Sequence, residues 1–231
     1  MIESLIFGAL SIVFCIIFCI FRAQKADVFT LALKSISSIF FILCGIFAIN
    51  YVSSSIFSLF VIAGLVFGLV GDIILDLKVM YNENSDQYFV FGTCSFMIGH
   101  FFYFASTLVY NIDMLPTHTI WNILASLGVA ILLTLIILLS SKKLNMNFGK
   151  MKWLVAAYSF VLTFMVAFSM SIAIFSPIFW IFASGMIVFF LSDLVLSMQY
   201  FGNRTEKIWI YVNHILYYVA QVMLALCVLF I

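Results

Sequence analysis

Charge is what this chain most lacks: 8% of its 231 residues are Asp, Glu, Lys or Arg, against about 25% in a soluble domain. Hydrophobic residues make up 66%, so a soluble globular protein is excluded. Proline is scarce too, at 2 residues. A chain so apolar cannot stay disordered, and one so poor in turn residues does not suit a many-stranded barrel. Neither sign of charge is in excess, since 10 basic and 9 acidic residues leave +1. No basic surface is available for nucleic acid. The cysteines (Cys15, Cys19, Cys44, Cys94, Cys227) lie in apolar runs without C-x-x-C spacing, and read as small buried hydrophobes. What remains is an all-α, polytopic membrane protein.

Apolar stretches of the roughly 20 residues needed to cross a bilayer run at about 2–21, 28–49, 55–76, 87–110, 118–140, 153–173, 177–200 and 208–231. These predict eight transmembrane helices in a single transmembrane domain over 1–231. The first stretch has no basic segment before it and no small-residue cleavage site behind it, as expected of a retained span. Arg22 and Lys25 follow the first span, Lys78 the third, Lys142, Lys143, Lys150 and Lys152 the fifth, and Arg204 and Lys207 the seventh. Since cytoplasmic loops retain Lys and Arg, this side is expected to be cytoplasmic and both termini extracytoplasmic, in a bacterial cell membrane. Lys34 is the one remaining base, and it lies inside a span.

Hydropathy does not explain Lys34, Asp72, Asp76, His100, Asp193 and His214, all well within spans. A charge at mid-helix costs about 2.5–3.5 kcal/mol, so one Lys and three Asp could cost roughly 10 kcal/mol without partners or water. At about 1.5 Å per residue, Lys34, Asp193 and His214 lie about 9–12 Å from the cytoplasmic ends, Asp72 and Asp76 shallower and His100 deeper. One cavity opening toward the cytoplasmic side could hold them. Asp72 and Asp76 share a helix face, and Tyr211, His214, Tyr218 and Gln221 form a second polar stripe. Gly64, Gly68 and Gly71 beside the first pair suit close helix approach.

An internal repeat is visible. GLVFGLVGDIILDL from Gly64 aligns without gaps on GMIVFFLSDLVLSM from Gly185, matching Asp72 to Asp193. His100-Phe-Phe-Tyr103 follows the first segment and His214-Ile-Leu-Tyr217 the second. Four spans per half give both halves one orientation, so the repeat is expected to be parallel, with its pseudo-twofold axis along the membrane normal and the two Asp facing each other.

GDIILDL at 71–77, GHFFYF at 99–104, SDLVLSMQYF at 192–201 and YYVAQVMLA at 217–225 resemble, in order and spacing, the lysoplasmalogenase or YhhN-like membrane proteins. Lys34 resembles the Lys of that family's second-helix Lys-Pro motif, with Ser35 in place of the Pro. The resemblance implies hydrolysis of the vinyl ether bond of a lysoplasmalogen, a lysophospholipid substrate taken from the lipid bilayer, to a fatty aldehyde and a glycerophospho-alcohol.

That reaction needs a proton for the alkenyl carbon, water to capture the oxocarbenium ion, and a base for collapse of the hemiacetal. Two acids sharing a low-dielectric cavity can divide these tasks, one staying protonated as general acid and the other acting as base. Asp72 and Asp193 are the catalytic candidates, with the roles unassigned between them. Lys34 is a candidate to hold the substrate phosphate or steady a carboxylate. Asp76, His100, Tyr103, His214, Tyr218 and Gln221 are candidates for binding water and headgroup. No cofactor or metal is required by the scheme. Two other classes use similar residues: a Zn-dependent intramembrane lipid hydrolase, although no H-E-x-x-H pattern is present, and a proton-coupled transporter.

Overall fold

The computed structural model describes residues 1–52, 55–202 and 204–231. Among the described residues eight helices are long and apolar enough to cross a membrane, so the chain is an integral, multi-pass membrane protein. They are α1 (Ile2–Arg22), α2 (Val28–Val52), α3 (Ile56–Met80), α4 (Ser85–Met114), α5 (Thr119–Lys143), α6 (Lys152–Phe175), α7 (Trp180–Phe201) and α8 (Lys207–Leu226). Among the described residues there is no strand. Single 3-10 turns lead into α5 and α7, each with a proline at its start: Pro116 and Pro177. Both prolines stand where a missing backbone N–H costs nothing.

The packing follows the duplication. In each half the first helix packs on the second and the third on the fourth, so α1/α2 answers α5/α6 and α3/α4 answers α7/α8. Contacts of α2 with α3 recur as α6 with α7, and those of α2 with α8 recur as α6 with α4. Shifting every helix by four thus reproduces the contact pattern, as a parallel repeat requires. It holds poorly at one seam: α1 packs along α8, whereas α5 barely touches α4.

Glycine sets the closest approach. A Cβ on Gly99 of α4 would stand 3.1 Å from the Gly64 carbonyl oxygen of α3, and Cβ atoms on Gly64 and Gly71 would enter the rings of Tyr103 and Phe96. Gly68 faces α8 instead, beneath Gln221 and Tyr217. Without apolar solvent transfer to drive association in lipid, such close backbone packing carries much of the helix pairing. Around it lies a single large apolar core containing Phe41, Phe168, Phe182 and Phe189.

These contacts predict opposite outcomes for two substitutions. Gly99→Ala should lower the thermal unfolding midpoint in detergent, because the α4 backbone must move off Gly64. Gly128→Ala on α5, where a Cβ meets nothing within 4 Å, should leave it unchanged or raise it through the roughly 0.5–1 kcal/mol advantage of Ala over Gly in a helix.

Candidate active site

A cavity of about 380 Å³ lies at the end of the bundle carrying the α1–α2, α3–α4, α5–α6 and α7–α8 connections. That volume is in the range of small-molecule sites. Its wall includes Lys34, Asp72, Asp76, Asp193 and His214. Five of the candidates from four different helices therefore meet in one space. His100, Tyr103, Tyr218 and Gln221 do not line it. They stand behind its wall, each at most 2% exposed.

Lys34 enters from α2 between the two carboxylates of α3. Its Nζ is 3.5 Å from Asp72 Oδ1 and 3.4 Å from Asp76 Oδ1. The α3 pair is four residues apart, so both carboxylates project from one face toward the same ammonium. Asp76 has a second partner at 2.9 Å in Nη1 of Arg22, the last residue of α1. The side chains of Arg22 and Asp76 are 8% and 3% exposed. The sequence reading counts Arg22 among the loop bases. Its long stem instead carries the guanidinium back into the protein, and the buried set balances as two cations against two anions.

Asp72 is further held at Oδ2, where Ser38 donates at 2.7 Å and Tyr217 at 2.9 Å. Tyr217 in turn accepts from Gln221 Nε2 at 2.9 Å, and Gln221 Oε1 accepts from Tyr103 at 3.0 Å. Tyr218 donates to the Lys34 carbonyl at 2.9 Å, and its oxygen lies 2.9 Å from Ser38 Oγ. Tyr103, Tyr218 and Gln221 therefore reach the cavity through Asp72, as supports for its carboxylate.

Asp193 is held differently. It is partly accessible from the cavity, and Tyr158 of α6, also on the cavity wall, donates to its Oδ2. Ser192 approaches Oδ1 at 3.5 Å. Among the described residues no cation lies within salt-bridge distance of Asp193. The Nδ1 of His214 is 2.8 Å from the Ile210 carbonyl; as donor there, it leaves Nε2 free to accept. His100 packs against the rings of Tyr103, Tyr158 and Phe189, and neither of its ring nitrogens has a hydrogen-bond partner among the described residues. Among the described residues no three His, Cys, Asp or Glu side chains cluster as a metal site.

The mouth is built by two connections. Phe148, from the segment between α5 and α6, and Arg204, Thr205 and Glu206, between α7 and α8, line it. The Asn147 N–H donates to the Phe201 carbonyl at 2.9 Å and Gln199 Nε2 to the Trp209 carbonyl at 2.7 Å, bracing these segments together. Ile137, Leu162, Phe190 and Leu194 form an apolar flank between α5, α6 and α7. Arg22, Tyr158, Tyr217 and Arg204 are among the polar wall residues that were not site candidates from the sequence.

The sequence profile of the YhhN family matches residues 29–228. No curated protein and no solved structure matches the chain.

The balanced ion set makes a testable demand. Removing one member of a buried pair costs about 3–5 kcal/mol because the other charge is stranded, whereas an apolar pair of similar volume is often tolerated. Arg22→Met alone should therefore sharply lower the unfolding midpoint in detergent. The double variant Arg22→Met/Asp76→Leu should melt above the single one, and equal or greater loss in the double variant would show that the pair is not coupled.

Proposed function

The chain belongs to the YhhN family, and from that premise we propose that it is an intramembrane hydrolase that cleaves the vinyl ether bond of a lysoplasmalogen. The observation that carries this reading is that Asp72 and Asp193 line one cavity with an apolar flank and a polar mouth. Such a space suits a single-chain amphiphile. The alkenyl chain would lie along Ile137, Leu162 and Phe190, and the glycerophospho headgroup at Arg204 and Glu206. The vinyl ether would then fall between the carboxyl groups.

The chemistry divides between them. A carboxylic acid delivers its proton to the alkenyl carbon not bonded to oxygen, giving an oxocarbenium ion. A nearby carboxylate stabilises that cation and takes a proton from the attacking water. The neutral hemiacetal then returns one proton to the first acid and receives one on its leaving glycerol oxygen from the second. Aldehyde and alcohol depart with both residues restored. The cavity is proposed to face the cytoplasm, in keeping with the Lys and Arg of its four flanking connections.

Incubation of the purified protein with a 1-alkenyl lysophospholipid should release fatty aldehyde. Asp72→Asn and Asp193→Asn should each fold and each lose at least about 100-fold in rate, and the double variant should be scarcely slower than either, because residues that act as a unit are not additive. A chelator should not change the wild-type rate. Inhibition reversed by Zn would instead favour the metal hydrolase, and proton-coupled solute movement in liposomes without hydrolysis would favour the transporter. A reporter fused after Ile231 should be active only outside the cytoplasm.

A further inference from the structure

The two halves of the repeat supply the motif Asp with different partners from the same place. Lys34 is the seventh residue of α2 (28 to 34), and Tyr158 is the seventh residue of α6 (152 to 158). Each helix packs on the one that carries its half's Asp. Lys34 reaches Asp72 on α3, and Tyr158 reaches Asp193 on α7. The second support has diverged as well. Tyr217 donates to Asp72, but its repeat counterpart Tyr103 is turned to Gln221 rather than to Asp193.

Charge bookkeeping then separates the acids. The groups that face Asp193 across the cavity are Asp72, Asp76, Lys34, Arg22 and His214, with Arg204 and Glu206 at the mouth. Lys34 and Arg22 are bound by Asp72 and Asp76, Arg204 stands at the mouth, and among the described residues no cation lies within salt-bridge distance of Asp193. A phenol in place of an ammonium provides a fixed hydrogen bond without a charge. We propose that Tyr158 is a positioning residue that, standing where the first half has Lys34, orients Asp193 without supplying a counter-charge, so that buried Asp193 is the neutral, proton-donating member of the pair while Asp72 is the standing carboxylate.

The geometry allots the atoms. Tyr158 donates to Oδ2, so the transferable proton sits on Oδ1, where among the described residues only Ser192 approaches, at 3.5 Å. After the proton leaves for the alkenyl carbon, the same Tyr158 hydroxyl steadies the carboxylate that remains. The hemiacetal hydroxyl returns the proton when it collapses. This assignment rests on the hydrolytic reading for its catalytic sense, but the protonation state of Asp193 can be read without substrate.

The test is infrared spectroscopy of the purified protein at neutral pH, with turnover of 1-alkenyl lysophospholipid measured beside it. A protonated-carboxyl C=O band should be present in the wild type and absent in Asp193→Asn, and it should persist in Asp72→Asn. Tyr158→Lys, which copies the first half's ion pair into the second, should lose that band and lose at least about 100-fold in kcat. Tyr158→Phe keeps the ring and is the variant least able to disturb folding. It should keep the band, shifted by loss of the phenol hydrogen bond, and lower kcat by about 10-fold or more with KM little changed. Absence of an Asp193-dependent band in the wild type, or a band in Tyr158→Phe identical to that of the wild type, would overturn the proposal. If the band behaves as expected but no variant or wild type releases aldehyde, the assignment of the neutral acid stands and the hydrolytic reading falls.

Discussion

An ion inside a hydrocarbon slab has no water to spread its charge, so it must carry its counter-ion with it or stay neutral. This constraint orders the first half of the bundle. Lys34 of α2 is placed between Asp72 and Asp76 of α3, and Arg22 folds back from the end of α1 to meet Asp76. Three helices are thereby fixed at one depth by four charges that cancel. Tyr217 and Tyr218 then tie α8 to the same set through Asp72 and the Lys34 carbonyl. Because Lys34, Asp76 and Asp72 Oδ2 each meet two partners from outside their own helix, the network fixes orientation as well as proximity.

The fold was legible in the sequence because the bilayer imposes a length and a composition that few other structures share. The helix pairs of the two halves were legible for a similar reason, since Asp72 and Asp193 recur at matching places in otherwise apolar segments. Lys34, Asp72, Asp76, Asp193 and His214 stood out as ionisable groups that hydropathy could not account for, and the cavity gathers all five. Arg22 did not stand out. Placed at a helix end, it obeys the loop-charge rule, and nothing in the sequence distinguishes a guanidinium that turns inward from one that snorkels to water. Tyr158 and Tyr217 were hidden by company: in a chain with 28 Phe and 10 Tyr, an aromatic at a wall position is ordinarily packing. The repeat carried a usable signal for Tyr158, through its matching place to Lys34, but the second and sixth helices are too unlike in sequence to align without the structure.

Duplication normally predicts two equivalent sites, yet Asp72 and Asp193 share a cavity between unlike halves. The inequality begins at the seam where α8 is sealed against α1 while α5 is held away from α4. On the sealed side Asp72 and Asp76 are buried and paired. On the open side every residue of α7 from Asp193 to Tyr200 is partly exposed, against buried Asp72, Leu75 and Asp76 at the comparable turns of α3. The segment between α5 and α6 compensates in part by folding Met146 and Phe148 onto the end of α7, with Val155 beneath them.

Burial and charge together distinguish the two halves. An acid with a close ammonium has its negative charge matched where it stands. An acid with only a phenol can pass between neutral and charged forms without stranding a counter-ion in the bilayer, because the hydroxyl satisfies either form. The same difference governs access: Asp72 has its Oδ2 occupied by two hydroxyls, whereas Asp193 faces the cavity with one oxygen lightly held. Exchange of Lys for Tyr at one repeated position therefore leaves one carboxyl without a paired cation, while the neutral balance that ties the helices together is left to the other half.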